Sequence, residues 1–240
     1  MEHFLEILPG IQIVDLGLLI DGETLIISDV HVGYEEALNK QGLLVPRMQA
    51  ADLRSRLQRI IAAAKPKRIV INGDVKHEFG TISNQEWRDA LMVLDFCAAV
   101  GGKVTLVKGN HDTILGPIAD KRNVDLVDHL TLRNGEIYLC HGHVIPNNAD
   151  FRKAKIVIIG HEHPAVTLKD NIRAEKFKCF LWGTYRGKTV IVLPSFNMVT
   201  EGTDVLREEL LSPFLQHNLK AFEVFIAADR TYHFGKLKEV

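Results

Sequence analysis

Residues 24–35 read Thr24-Leu25-Ile26-Ile27-Ser28-Asp29-Val30-His31-Val32-Gly33-Tyr34-Glu35, a short apolar run that stops at a carboxylate and an imidazole two positions apart. The run has the length and composition of a buried strand, and the polar residues fall where that strand ends. The same pattern recurs along the chain. Ile69-Val70-Ile71-Asn72 leads into Gly73-Asp74, Val104 to Lys108 into Gly109-Asn110-His111-Asp112, Ile137 to Cys140 into His141-Gly142-His143, and Ile156 to Ile159 into Gly160-His161-Glu162-His163. Of the 11 histidines, only His3, His129, His217 and His233 lie away from these clusters, if His77 is counted just beyond the second.

Further strands are expected at Ile11 to Ile20, Thr24 to Ser28, Arg68 to Asn72, Lys103 to Lys108, Glu136 to Cys140, Lys155 to Ile159, Lys176 to Trp182, Thr189 to Leu193 and Ala221 to Ala227. Two helices are expected. One opens near Pro46 and ends at Lys65-Pro66, with Met48, Leu53, Leu57, Ile60 and Ile61 at helical spacing; the other runs from about Asn84 to Ala99 and stops at Gly101-Gly102. Strands and helices alternate up to residue 110, which predicts right-handed parallel units, whereas residues 124–193 read as successive strands closer to antiparallel pairing. The fold class is therefore α/β with a mixed sheet, or two. With no repeat, low-complexity segment or linker, residues 1–240 read as one domain.

The 240 residues are 46% hydrophobic and 25% charged, which excludes a disordered chain or a fibre and allows a sizeable core without disulfides. Cys97, Cys140 and Cys179 are odd in number and lie in apolar stretches, so they read as reduced core residues. Met92, like Met48, reads as core filler. The opening Met1-Glu2-His3-Phe4-Leu5-Glu6 carries acids where a signal peptide carries lysine or arginine, and no apolar run approaches membrane-spanning length. These features predict a cytoplasmic chain with no membrane partner. Net charge is −1, so no global field draws the protein to nucleic acid, and any phosphate must be held locally. Arg47, Arg54, Arg56, Arg59, Lys65, Lys67 and Arg68 read as a solvated helix face, with a nucleic-acid strip as the alternative.

Loops at the carboxyl ends of strands are where an open α/β sheet assembles its site. The donors gathered there are aspartate, asparagine and histidine with no thiolate, a set that suits divalent Mn, Fe, Zn or similar ions and argues against a structural zinc site. There are too many for one metal, which points to a two-metal centre with one bridging carboxylate. Two divalent ions, two carboxylates and a bridging hydroxide leave a net charge of about +1, a hole that favours an anion such as a phosphate ester. The hydroxide would be the nucleophile, with no covalent enzyme intermediate.

Asp-x-His, Gly-Asp, Gly-Asn-His-Asp, a His after a strand, and Gly-His-x-His occur here in the order found in the calcineurin-like metallophosphoesterases, which the chain resembles from Ser28 to His163. Ser28 to Glu35, together with Gly73-Asp74-Val75-Lys76-His77-Glu78-Phe79, resembles more particularly the ICC-like, SbcD-related archaeal and bacterial branch. The resemblance implies a four-layer αββα sandwich of two mixed β-sheets flanked by helices. It implies that Asp29, His31 and His163 hold one metal, that Asp74 bridges, and that Asn110, His141 and His161 hold the other. His111 would reach the leaving-group or a phosphoryl oxygen, with Asp112 orienting its ring. The ions implied are Mn first, with Fe, Zn or Ni as alternatives. His77 and His143 are either direct ligands or neighbours that orient a ligand or substrate. Asn197, in Pro194-Ser195-Phe196-Asn197 after a strand, is either near the site or part of a proline-initiated turn. Glu162 stands where Thr or Ala is commoner, either exposed or adding negative charge near the site.

The reaction implied is phosphate-ester hydrolysis, with phosphodiesters such as DNA, RNA or a cyclic nucleotide ahead of small monoesters. A monoester enzyme usually needs cationic clamps for the second phosphate charge, and only Lys76 and Lys108 stand near the clusters. A non-catalytic scaffold of the same fold is the contrasting reading, disfavoured because every ligand is present. Related proteins suggest a DNA-processing protein partner and a homodimer.

Overall fold

Short strands with side chains of alternate direction dictate a layered molecule, because both faces of each sheet must be covered. The computed structural model describes residues 3–45, 49–80, 82–112, 114–169 and 173–240. The first sheet holds β1 (Phe4–Leu8), β2 (Ile11–Val14), β3 (Gly17–Ile20), β4 (Thr24–Ile27), β5 (Arg68–Asn72), β6 (Lys103–Val107) and β7 (Asp125–Val127), whose order in space is their order in the chain. The first four pair antiparallel, and β4 to β7 pair parallel. The single strand expected at Ile11 to Ile20 is a hairpin: Asp15 adopts a left-handed φ of 52° and Val14 pairs back onto Gly17.

The second sheet holds β8 (Leu130–Leu132), β9 (Ile137–Leu139), β10 (Ile156–Ile159), β11 (Pro164–Lys169), β12 (Ala174–Tyr185), β13 (Lys188–Val192), β14 (Thr203–Asp204), β15 (Glu223–Ala227) and β16 (Thr231–Lys236). Its order is β14-β11-β12-β13-β10-β9-β8, with β15 on β12 and β16 on β15. The antiparallel expectation for residues 124–193 holds at β8–β9, β11–β12 and β12–β13, but β9, β10 and β13 run parallel. That exception places the ends of β9 and β10 at one edge.

Among the described residues, five α-helices lie on these sheets: α1 (Tyr34–Lys40), α2 (Gln49–Ala64), α3 (Asn84–Gly101), α4 (Gly116–Arg122) and α5 (Ala149–Lys153). The stripe Leu53, Leu57, Ile60 and Ile61 of α2 is buried against the first sheet, as its spacing predicts. The opening of that helix near Pro46, with Arg47 and Met48, lies outside the described residues. Ser83 caps α3 in a reciprocal box with Glu86.

Alternation sorts three cores. Leu25 and Ile27 of β4 and Ile69 and Ile71 of β5 face the helices, while Ile26 and Val70 face the second sheet. There they meet Ile158, Phe180 and Ile191. Val157, Ile159, Val190 and Val192 point outward to Phe151 of α5 and to Phe214, Leu215 and Leu219. The result is the αββα sandwich, with its fourth layer built from one short helix and the irregular segment that carries Phe214 to Leu219. Cys97, Cys140 and Cys179 are buried and free, as expected.

Candidate metal centre

The carboxyl ends of β4, β5 and β6 in one sheet and of β10 in the other open toward a common cavity of about 300 Å3, and the end of β9 meets them through the buried His141. The chain leaves these strands in tight turns. Asp29, His31, Asp74, His161 and His163 all have φ between 46° and 66°, a left-handed conformation that costs a residue with a β-carbon about 1–3 kcal/mol and persists where surroundings enforce it. Glycine supplies the necessary room: a β-carbon on Gly109 would collide with Asp74, and one on Gly160 with Asp29. The two carboxylates are thus each wedged beneath a neighbouring loop.

Asp29 is fully buried and accepts the His161 backbone N–H at 3.1 Å, while His163 Nε2 lies 3.1 Å from its other oxygen. Asp74 accepts the His111 N–H through Oδ1 at 3.0 Å. Its Oδ2 lies 3.2 Å from His141 Nε2, 3.7 Å from His111 Nε2 and 3.8 Å from His31 Nε2. Asn110 Oδ1 lies 3.0 Å from His141 Nε2. The seven residues expected as ligands therefore converge. Asp29, His31 and His163 bring donor atoms within 4.8 Å of one another, and so do Asp74, His141 and His161.

The electrostatics suit cations. Burial and the adjoining His163 push His31 down to about 3, and burial with His141 pushes His161 down to about 4, so both rings are neutral with a lone pair to offer. Nitrogens face nitrogens, with His31 and His163 Nε2 3.3 Å apart and His161 Nδ1 3.2 Å from His141 Nε2. Only one proton can lie between such a pair, whereas a cation satisfies both. Burial alone would raise Asp29 and lower His141; instead the imidazoles hold Asp29 well below the carboxylate range, and hydrogen bonding to Asp74 with the charge of Asp29 holds His141 up. His141 Nδ1 also lies 3.3 Å from the Asn72 carbonyl, a contact that turns Nε2 toward the donors.

His111 lines the cavity with its ring against Phe79 and its Nδ1 on the carbonyl of His77. Asp112 does not touch that ring. Its buried carboxylate accepts the N–H groups of Gly109 and Val75 at 3.0 Å each, tying the β6 loop to the β5 loop, so the orienting contact expected of it falls to the His77 carbonyl. His77 packs on Tyr34 and brings a ring nitrogen within 4.8 Å of those of His31 and His111. His143 is half-buried beside His141, belongs to none of these donor groups, and lines a separate cavity. Asn197, read as either near the site or part of a proline-initiated turn, lies against the Asp29–His31 loop: Nδ2 donates to the carbonyls of Val30 and His31 at 3.1 and 3.2 Å. Glu162 is fully buried and accepts the Ser212 N–H at 2.8 Å. Lys76 is buried with Nζ on the Glu78 carbonyl, and Lys108 pairs with Asp128 at 3.0 Å. Arg56 and Arg59 both pair with Asp15, and Arg54 lies over Phe96, so these arginines behave as a solvated face.

Several supporting residues escape a reading by motif. Gln49 donates to the His31 carbonyl at 3.1 Å, Ser195 to the Asp29 carbonyl at 2.9 Å, and Glu86 accepts the N–H groups of His77 and Glu78. Only Glu86 left a signal, its spacing from Ser83.

The calcineurin-like phosphoesterase profile matches residues 23–165, and the chain belongs to that family of divalent-metal-dependent phosphate-ester hydrolases. Among solved structures, the nuclease MPE of Pseudomonas putida is similar over 97% of this chain and 100% of its own, with 21% identity and a TM-score of 0.67. Yfce, a phosphoesterase from E. coli, aligns over 84% of this chain and 86% of its own, with 15% identity and a TM-score of 0.42. No curated protein sequence matches the chain. Among the described residues no helix is long and apolar enough to cross a membrane.

Proposed function

We propose that the chain is a dinuclear metallophosphodiesterase in which Asp29, His31 and His163 hold one ion, Asp74 bridges, and Asn110, His141 and His161 hold the other. The observation that carries this reading is the position of Asp74 Oδ2, 3.2 Å from His141 Nε2 and 3.8 Å from His31 Nε2, at the contact between the two donor groups. Divalent ions held there supply a water of lowered pKa and polarise the phosphoryl oxygens. Mn2+ is the ion proposed, with Fe, Zn and Ni as competitors that the imidazole and carboxylate donors also suit.

His111 stands beside this centre with its ring in the cavity lining, Nδ1 engaged by the His77 carbonyl and Nε2 3.7 Å from Asp74 Oδ2, the place of a proton donor to a leaving oxygen. As water's oxygen bonds to phosphorus and gives up its proton to solvent, the bond to the leaving oxygen breaks and that oxygen takes the Nε2 proton of a doubly protonated His111 ring. Diesters are favoured over monoesters because no lysine or arginine lines the cavity among the described residues to meet a second phosphate charge. A nuclease among its structural neighbours makes nucleic acid the first natural substrate to try.

The test is hydrolysis of bis-p-nitrophenyl phosphate and of p-nitrophenyl phosphate by metal-stripped protein titrated with Mn2+, with Asp74→Asn as control. Manganese-dependent diester cleavage that exceeds monoester cleavage and vanishes in the variant is expected. Preferential monoester cleavage overturns the diester reading, and absence of turnover with two ions bound favours the scaffold.

A further inference from the structure

The cavity above the metal centre has an unusual lining for a site that must receive a phosphate backbone. Beside the histidines, Asp74 and Asn110 it presents Tyr34, Phe79, Thr200 and Leu211, and no cation among the described residues. Phe79 is 62% exposed and Leu211 60%. Neither is carried by a free loop. The segment before Phe79 is fastened by the buried Glu86 carboxylate, which accepts the N–H groups of His77 and Glu78 at 3.1 and 2.7 Å. Next to Leu211, Ser212 is held by Glu162 at 2.8 Å and donates its hydroxyl to the Gly142 carbonyl at 2.8 Å. Two exposed apolar side chains are therefore held at the mouth of a metal centre by buried polar anchors.

Phe79 lies with its ring centroid 3.5 Å from that of His111, at 33°, so one face covers the imidazole and the other is open. An open aromatic face stacks any nucleobase without regard to sequence, and a cavity of about 300 Å3 is at the small end for ligand sites. Proteins that track duplex DNA do so with lysine and arginine on successive phosphates, and none lines this cavity among the described residues. We propose that Phe79 is the stacking platform for the nucleobase on the leaving-group side of the scissile phosphodiester, and that the substrate is single-stranded nucleic acid or an unstacked end. The side follows from His111, since Phe79 packs on the group that protonates the leaving oxygen; the inference thus rests on the diesterase reading above.

The experiment compares kcat/KM of the Mn2+-loaded enzyme on a dinucleotide with a single phosphodiester and on two analogues, each lacking the base on one side. The product that retains the phosphate identifies the leaving side. Loss of the base on that side is expected to cost roughly tenfold to a hundredfold, the usual worth of one base–aromatic stack. Phe79→Trp should keep that discrimination, while Phe79→Ala and Phe79→Leu should bring the ratio toward one. Phe79→Leu retains an apolar cover on His111, so its loss of discrimination cannot be ascribed to misfolding if metal content matches the wild type. Equal cleavage of all three substrates by the wild type, or unchanged discrimination in Phe79→Ala, overturns the stacking role while leaving the diesterase intact. Failure to cleave either these dinucleotides or bis-p-nitrophenyl phosphate overturns both.

Discussion

Asp74 and His111 meet at 3.7 Å, yet the two side chains are bound by different constraints. Asp74 is buried among imidazoles and has the His111 backbone N–H on its second oxygen, whereas the His111 ring faces the cavity and is held by the His77 carbonyl at Nδ1 and by the ring of Phe79. Replacing His111 by alanine is therefore expected to leave both ions bound and slow turnover by roughly 10²–10⁴, the range for a positioned proton donor. Metal analysis beside steady-state kinetics checks this, and loss of one equivalent of metal in His111→Ala would show that the ring is a ligand. The clustered donors were legible because carboxylate and imidazole recur directly after apolar runs. Asp112 was legible as a site residue but not in its partner: adjacency to His111 in the chain does not fix side-chain direction in a turn, and its oxygens point back to Gly109 and Val75.

At the scale of elements, the turn following β13 does for the Asp29–His31 loop what no single ligand can. Asn197 holds the carbonyls of Val30 and His31, Ser195 that of Asp29, and Lys178 reaches from β12 to the carbonyls of Ser195 and Asn197. Removing the Asn197 amide leaves the carbonyls of Val30 and His31 to Gln49 alone, a loss of about 0.5–1.5 kcal/mol per hydrogen bond, and loosening a ligand's support usually costs about 10–100-fold in metal affinity. Asn197→Ala should thus bind Mn2+ more weakly by that order in a calorimetric titration; unchanged affinity would separate this turn from the centre. Burial, with repulsion from Arg56 and despite Asp29, lowers Lys178 to about 7. Since the unfolded chain keeps that amine protonated to about pH 10.4, unfolding takes up a proton between pH 7 and 10, and stability rises with pH across the window. Denaturant midpoints should accordingly show wild type gaining on Lys178→Met from pH 7 to 9, and a flat difference would refute it. Long periodic elements such as α2 and α3 were legible, as were β5 and β6. The seven-residue α1 and α4 were not, since so short a helix shows barely two turns of pattern, and the hairpin at Asp15 was hidden because apolar residues continue through it.

For the molecule as a whole, the proposed ligands divide between the sheets. Asp29, His31, Asp74 and Asn110 follow β4, β5 and β6, and His141, His161 and His163 follow β9 and β10. Below them the sheets share one apolar layer that includes Ile26, Val70, Ile158, Phe180 and Ile191, so core and centre join the same two layers at different heights. No motif in either sheet states this; it emerges from the parallel run of β9 and β10 and from Asn72, whose amide donates to the Cys140 carbonyl at 3.0 Å across the gap. Ions that bind only when both sheets are in place stabilise the folded state by mass action, about 2.7 kcal/mol for one site at a hundredfold excess over Kd. In a chain of 240 residues each kcal/mol moves Tm by about 2–4 °C, so Mn2+ at that excess should raise Tm by roughly 5–10 °C over the chelated protein. Because Asp74 contacts donors from both sheets, Asp74→Asn should lose most of that rise, and both sheets should melt in a single transition with or without metal. Calorimetry distinguishes the alternatives: two resolved transitions in the chelated protein would mean that the sheets fold as separate units, and a Tm indifferent to Mn2+ would mean that the clustered donors hold no ion that spans them.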